Sequence, residues 1–194
     1  MHTTPLLAAV SARPGHFLLE SGHHADLWLD LETLCVKPGR VQQFAAALAE
    51  RLRRYEVDAV CGPLNEGAFV ALMVASALEC RFTYAERFAP DQAGGLFRVA
   101  YRVPKALHAT LQGKRVAIVN DVISAGSAVR GTLADLETIG AEVVAIGALL
   151  VLGDTFTTFA FERNLTVEAL TELPFNIWAP AECPLCRSGT PLGT

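Results

Sequence analysis

Residues 120–128 read Asn-Asp-Val-Ile-Ser-Ala-Gly-Ser-Ala, a run with one face suited to an anion and one to hydroxyls. Ser124, Gly126 and Ser127 are small enough to let several backbone N–H groups converge on one anion, and a helix starting there adds its dipole. The two serine hydroxyls supply further donors. The Asp121 carboxylate repels a phosphate but suits sugar hydroxyls, or water on a magnesium ion. Phosphate at one end, with diol and metal at the other, describes a phosphorylated sugar. Two elements must hold these groups together. Val116-Ala117-Ile118-Val119 is apolar and mostly β-branched, which predicts a buried strand ending at the acidic tip. Val129, Leu133 and Leu136 have helical spacing and predict a helix leaving the turn. A branched side chain at Gly126 is expected to fill the anion cup.

This segment resembles the motif with which type I phosphoribosyltransferases bind phosphoribosyl pyrophosphate (PRPP). That motif is a hydrophobic strand, two acidic residues, two apolar residues, then Thr-Ala-Gly-Thr-Ala or a close variant. Here Ser124 and Ser127 stand for the threonines and Asn120 for the first acid. Other phosphate loops are absent: there is no Gly-x-x-x-x-Gly-Lys-Ser/Thr, and no Gly-x-Gly-x-x-Gly after a strand. The resemblance implies an α/β fold with a doubly wound, mainly parallel sheet, flanking helices, a small N-terminal hairpin or hood and a flexible arm. It implies PRPP binding by Asn120, Asp121, Val122, Ile123, Ser124, Ala125, Gly126, Ser127 and Ala128, with Mg2+ as cofactor. Asp121 is expected to take a ribose hydroxyl and a magnesium water, and Asn120 the other hydroxyl.

The rest of the chain supports the resemblance from about Gly15 to Val151. Phe17-Leu18-Leu19 and Leu27-Trp28-Leu29 predict two short strands around a Ser-Gly turn. This block resembles the N-terminal hairpin of orotate phosphoribosyltransferases, which helps cover the base and places Ser21 and Gly22 on the base side. Pro38 starts an amphipathic helix with Val41, Phe44, Ala45, Leu48 and Leu52 inside; Glu50, Arg51, Arg53 and Arg54 read as a solvated face. Val57 to Cys61 predicts a strand running into Gly62, Pro63, Leu64, Asn65, Glu66 and Gly67, which resemble the family's pyrophosphate loop, before an apolar helix from Ala68 to Leu78. Arg81 to Ala85 and Phe97 to Val103 predict strands on either side of the arm, residues 88–96. By resemblance, that arm closes over the leaving pyrophosphate and reaches a partner subunit's site, implying a homodimer. Gly140 closes a helix, Val143 to Leu152 is a strand buried on both faces, Phe156 to Phe161 a short helix and Thr166 to Leu170 a strand.

At 194 residues, 52% hydrophobic and 19% charged, the chain is expected to be one globular domain (1–194: hood 1–37, arm 88–96, tail 175–194). A net charge of −4 argues against nucleic acid or anionic membrane as partner. No apolar run suits a bilayer span and no leader pattern opens the chain. Five cysteines, an odd number, read as reduced thiols, so a cytoplasmic protein is expected. No metal ligands are assigned. His23 and His24 are adjacent on a strand and point to opposite faces. Cys183-Pro184-Leu185-Cys186 lacks a second ligand pair unless Cys35 contributes, and reads as a structural tail knuckle.

The chain departs from orotate enzymes of the family in one electrostatic direction. Glu20 stands where a Lys often precedes the Ser-Gly, Glu66 where many members carry Lys, and Glu86-Arg87 where Arg-Lys is usual. Residues 88–96 hold neither Lys nor His, and Leu152-Gly153-Asp154 occupies the place of a late Arg. Each reversal beside a polyanion is worth about a kcal/mol or more at an effective dielectric of about 20. Arg87 is the expected catalytic cation for the leaving group, with Arg98, Arg102 and Lys105 as further replacements. The reading is therefore transfer of phosphoribosyl from PRPP to orotate or a related small-molecule base. The alternative is a non-catalytic PRPP- or nucleotide-binding regulatory protein on the same fold.

Overall fold

Apolar strands alternating with helices force a sheet covered on both sides. The computed structural model describes residues 6, 10–30, 34–88, 96–97 and 99–193. In chain order these form β1 (Ser11–Leu18), β2 (His24–Asp30), α1 (Pro38–Leu52), β3 (Ala59–Pro63), α2 (Glu66–Leu78), β4 (Arg81–Phe88) and β5 (Ala100–Arg102). There follow α3 (His108–Leu111), β6 (Arg115–Ile123), α4 (Ser127–Ile139), β7 (Glu142–Leu152), α5 (Thr155–Glu162), β8 (Val167–Leu173), β9 (Ile177–Trp178) and α6 (Pro184–Arg187).

The main sheet has the order β5-β4-β3-β6-β7-β8 and is parallel except for the β4–β5 pair. One core packs α1 and α2 on one face, with Val41, Leu48, Leu52, Val70 and Val74 against Val60, Val119 and Leu149. A second core on the other face holds Val129, Leu133 and Leu136 of α4 with Ile118, Ile146 and Phe156. The helical spacing read at 129, 133 and 136 therefore marks a fully buried stripe. Gly140 closes α4 in the left-handed region at φ 82°. A second, three-stranded antiparallel sheet, β1-β2-β9, joins the N-terminal hairpin to the C-terminal segment.

The structure differs from the sequence expectation in several boundaries. The hairpin begins at Ser11, six residues before Phe17, because Ser11 to Pro14 pairs with Leu27 to Asp30 despite its lack of apolar alternation. Glu86 and Arg87 lie within β4 rather than beyond it, held by pairing with Arg102 and Tyr101. The arm's residues 89–95, and most of the N-terminal turn expected around Leu6, Leu7 and Val10, fall outside the described residues. The arginines at the end of α1 do more than face water. Arg51 donates to the Ala169 carbonyl, and Arg54 pairs with Glu168, which also accepts from the Tyr55 hydroxyl at 2.5 Å. They fasten the end of α1 and the turn after it to the border strand β8.

Candidate functional site

β6 is the central strand of the site, flanked by β3 and β7, and its C-terminal end carries the polar residues. In α/β sheets this end of the strands is where ligands bind. A cavity of about 240 Å³ opens there. Its walls are Glu20 and Ser21 of the hairpin turn, Leu27, Trp28 and Leu29 of β2, residues of the 120–128 segment, and Leu152 and Phe175. Ser124, Gly126, Ser127 and Ala128 form its floor at the start of α4.

Gly126 takes φ 81° as the residue before α4, a conformation that costs an L-residue energy. A Cβ there would stand 2.1 Å from Cδ2 of Phe156, which is fully buried. The sequence expectation that a side chain at 126 would fill the cup needs correcting: it would collide with the core beneath the cup. Ser127 Oγ is buried without a hydrogen-bond partner among the described residues. Leaving a buried hydroxyl unpaired costs about 1–3 kcal/mol. Its place at the first turn of α4, beside the cavity, makes it a donor waiting for an oxygen.

Asn120 and Asp121 take different roles. Asn120 lines the cavity, and its Nδ2 donates to the Val122 carbonyl at 2.7 Å. Its Oδ1 sits against the first turn of α2, 2.0 Å from where a Cβ on Gly67 would be. Only glycine at 67 allows the end of β6 to approach the start of α2 this closely. Asp121 is buried, and burial pushes its pKa up to about 6, with the Glu66 charge adding to the shift. Backbone N–H groups of Val122 and Asp121 itself pull the other way. The carboxylate thus sits in a negative, poorly hydrated place that a cation would relieve.

The remaining expected residues are only partly gathered. Ser21 lines the cavity, whereas Gly22 (φ 82°) makes the hairpin turn beside it. Of the expected pyrophosphate loop, residues 62–67, none lines this cavity; the loop approaches through Gly67 and Glu66. Arg87 does not reach the cavity wall. Its Nε lies 3.8 Å from Glu20 Oε2, and the Tyr101 hydroxyl donates to the same carboxylate at 3.0 Å. Burial and Glu20 together push the Tyr101 phenol upward. Among the described residues, the cavity wall has one carboxylate, Glu20, and no Lys or Arg.

Several contributors escaped the sequence reading. Trp28, Phe175 and Leu152 make an apolar wall that would face a flat ring, and Phe175 comes from beyond the last strand of the main sheet. Arg130 lies one turn into α4. It donates to the Ala125 carbonyl at 3.0 Å and stacks on Phe159 at 3.7 Å and Phe97 at 4.7 Å. Phe97 N–H donates to the Ser21 carbonyl at 2.7 Å, so the chain just after the arm is tied to the hairpin turn. Adjacency to the 120–128 segment was a usable signal for Arg130; nothing local marked Phe175.

Residues 33–166 match the family model described as Phosphoribosyl transferase domain. Orotate phosphoribosyltransferase of Caldanaerobacter subterraneus subsp. tengcongensis is 32% identical over 178 residues, covering 92% of this chain and 86% of the relative. That of Thermotoga maritima is 30% identical over 177 residues, covering 91% and 87%. Among solved structures, orotate phosphoribosyltransferase from Aeropyrum pernix superposes with a TM-score of 0.63 at 20% identity, over 86% of this chain and 89% of that one. Adenine phosphoribosyl transferase from Trypanosoma brucei, in complex with AMP, pyrophosphate and ribose-5-phosphate, gives 0.68 at 14% identity, over 86% and 77%. At such identities the structures speak for the fold.

Proposed function

The chain belongs to the phosphoribosyltransferase family, with orotate phosphoribosyltransferases among its relatives, and on that premise we propose how its residues divide the work. The enzyme transfers phosphoribosyl from PRPP to a nitrogenous base. The C1–O bond to pyrophosphate breaks, a C1–N bond to the base forms, and the ring nitrogen's proton leaves to solvent. Ser124 to Ala128 hold the 5′-phosphate on amides and hydroxyls, Asp121 and Asn120 hold the ribose hydroxyls, and Gly62 to Gly67 meet the pyrophosphate. The observation that carries this division is the unpaired Ser127 hydroxyl at a helix start, four residues beyond the end of the strand that carries Asp121. Mg2+ fits the site, because Asp121 is a buried carboxylate with Glu66 nearby and an upward-shifted pKa. When bound, the ion supplies charge to the leaving pyrophosphate. Holding the sugar still and isolating it from water is the protein's own contribution.

Orotate is the proposed acceptor, supported by the relatives. A second reading of the acceptor, a base without a carboxylate, is favoured by one feature: among the described residues the cavity wall has Glu20 and no Lys or Arg. Pyrophosphate release from PRPP and Mg2+ across orotate, uracil and purine bases separates them. Orotate is expected to turn over fastest; release with no base at any concentration tested would overturn the transferase reading. Nothing in the relatives favours a non-catalytic sensor.

A homodimer is part of the proposal. α2 exposes Phe69 (47%) and Leu72 (51%) three residues apart on one face, an apolar pair that a second copy would cover. Light scattering is expected to give a dimer that Phe69→Glu/Leu72→Glu converts to monomer; a wild-type monomer would refute it. No helix among the described residues is long and apolar enough to cross a membrane, in keeping with the cytoplasmic location we propose.

A further inference from the structure

The C-terminal Cys-x-x-Cys meets two histidines of the N-terminal hairpin. His16 and His24 sit on the two strands β1 and β2, and Cys183 and Cys186 flank the first turn of α6. One donor atom from each falls within 4.8 Å of all the others. His16 Nε2 lies 2.8 Å from His24 Nδ1, 3.5 Å from Cys183 Sγ and 3.8 Å from Cys186 Sγ; Cys186 Sγ is 3.3 Å from His24 Nδ1. His16, His24 and Cys183 are buried.

Local structure aims these atoms. Pro14 pairs with Leu27 and Phe17 with Ala25, three steps on β1 against two on β2, so Gly15-His16 carries a bulge. Bulges re-aim a side chain, here that of His16. Leu18 opposite His24 puts His24 on the same face. His16 Nδ1 donates to the Thr190 carbonyl at 2.7 Å. That bond fixes the tautomer and leaves the Nε2 lone pair facing the cluster, as second partners of metal-binding histidines do. β9 pairs with β2 at His24 and Ala25, bringing the tail to the hairpin.

We propose that His16, His24, Cys183 and Cys186 bind one zinc ion in a closed, tetrahedral structural site. Two imidazoles and two thiolates are a donor set zinc favours, and four protein ligands leave no open position for chemistry. With Zn–N about 2.0–2.1 Å and Zn–S about 2.3 Å, a tetrahedron has N···N edges of about 3.4 Å and N···S edges of about 3.6 Å. The observed N···S distances match, and the two rings need to part by about half an ångström. A histidine–histidine hydrogen bond alone would account for the nitrogen pair. It gives no reason for two sulfurs to arrive at the same point from the far end of the chain. Binding releases the two thiol protons, and the neutral site clasps the tail onto the hairpin that walls the cavity. Cys35, the third cysteine weighed from the sequence, is outside the cluster; the partners are histidines on opposite strands, not the adjacent pair His23 and His24. His23 turns away to Ser21 Oγ at 3.0 Å and to Phe97.

The test uses the full chain and needs no substrate, so it stands or falls apart from the transferase reading. Elemental analysis after reconstitution with zinc is expected to find about one ion per chain, and Cys183→Ser/Cys186→Ser to lose it. Wild-type protein loaded with Co2+ instead is expected to show the intense visible bands of a tetrahedral thiolate site, a readout independent of whether variants fold. Stripping with chelator should lower the melting temperature. Absence of zinc and cobalt binding in reduced wild-type protein, or zinc content unchanged in the double serine variant, would overturn the site. So would a Cys183–Cys186 disulfide in the protein as isolated from reducing cytosol.

Discussion

Asp121→Asn is expected to lose roughly 10²–10³-fold in kcat/KM, the usual cost of removing one group aimed at developing charge, while becoming more stable. The two effects have one cause. Burial and Glu66 hold the Asp121 carboxyl near pKa 6, above its ordinary value of 3.8. Between those values the folded chain keeps a proton that the unfolded chain releases, so this group's contribution to stability falls as pH rises through that window. The cost is absent below the lower value and complete above the upper one. At about 1.4 kcal/mol per unit, ionising Asp121 costs the fold about 3 kcal/mol at neutral pH. Asparagine removes that cost and keeps an oxygen for the backbone N–H groups. Thermal melting at pH 7 should therefore rise by several degrees in the variant. Wild-type kcat/KM should fall tenfold per unit below about pH 6, where the carboxylate is lost. Turnover near wild type in the variant would remove Asp121 from the mechanism; lower stability would make it a structural residue.

Gly126→Val should destabilise the chain by about 3 kcal/mol, combining overpacking with a left-handed backbone that a branched residue disfavours. The collision is with Phe156, whose ring lies 2.1 Å from the added Cβ. To escape it, the turn must lift, and the amides proposed to hold the phosphate move with it. PRPP binding by calorimetry should become undetectable at concentrations that saturate wild type. Gly126→Ala already contains the offending atom, so it should lose most of the affinity as well. Unchanged PRPP affinity in either variant would refute the cup as the phosphate site.

The parts of the fold that depend on neighbours in sequence were readable. Val116 to Val119 and Val129, Leu133 and Leu136 announce strand and helix because burial imposes their periods, and the small residues between them leave few alternatives. Glycine at 140 marked a helix end for the same local reason. What resisted reading depends on residues far apart in the chain. Phe156 under Gly126, Phe175 across from Trp28, and Asn120 against Gly67 are set by how strands order in the sheet. Arg87 was read from its place after a strand. In the structure it lies within β4 beside Glu20, because pairing with β5 extends the strand past it. His16 and Cys183 stand 167 positions apart, and only a bulge in one strand and a two-residue strand near the C-terminus bring them together.

An open sheet of six strands has two borders whose amides and carbonyls could recruit another chain. One border here, β5, is three residues long and gives little to grip. The other, β8, is longer, and there Arg51 occupies a main-chain oxygen while Arg54 and Tyr55 engage the neighbouring glutamate. Polar side chains from the end of α1 and the turn after it thus act as a guard rail against edge-to-edge pairing of sheets between molecules. Keeping that border from other molecules is then a task for three residues at and just beyond the end of one helix, remote from the chemistry.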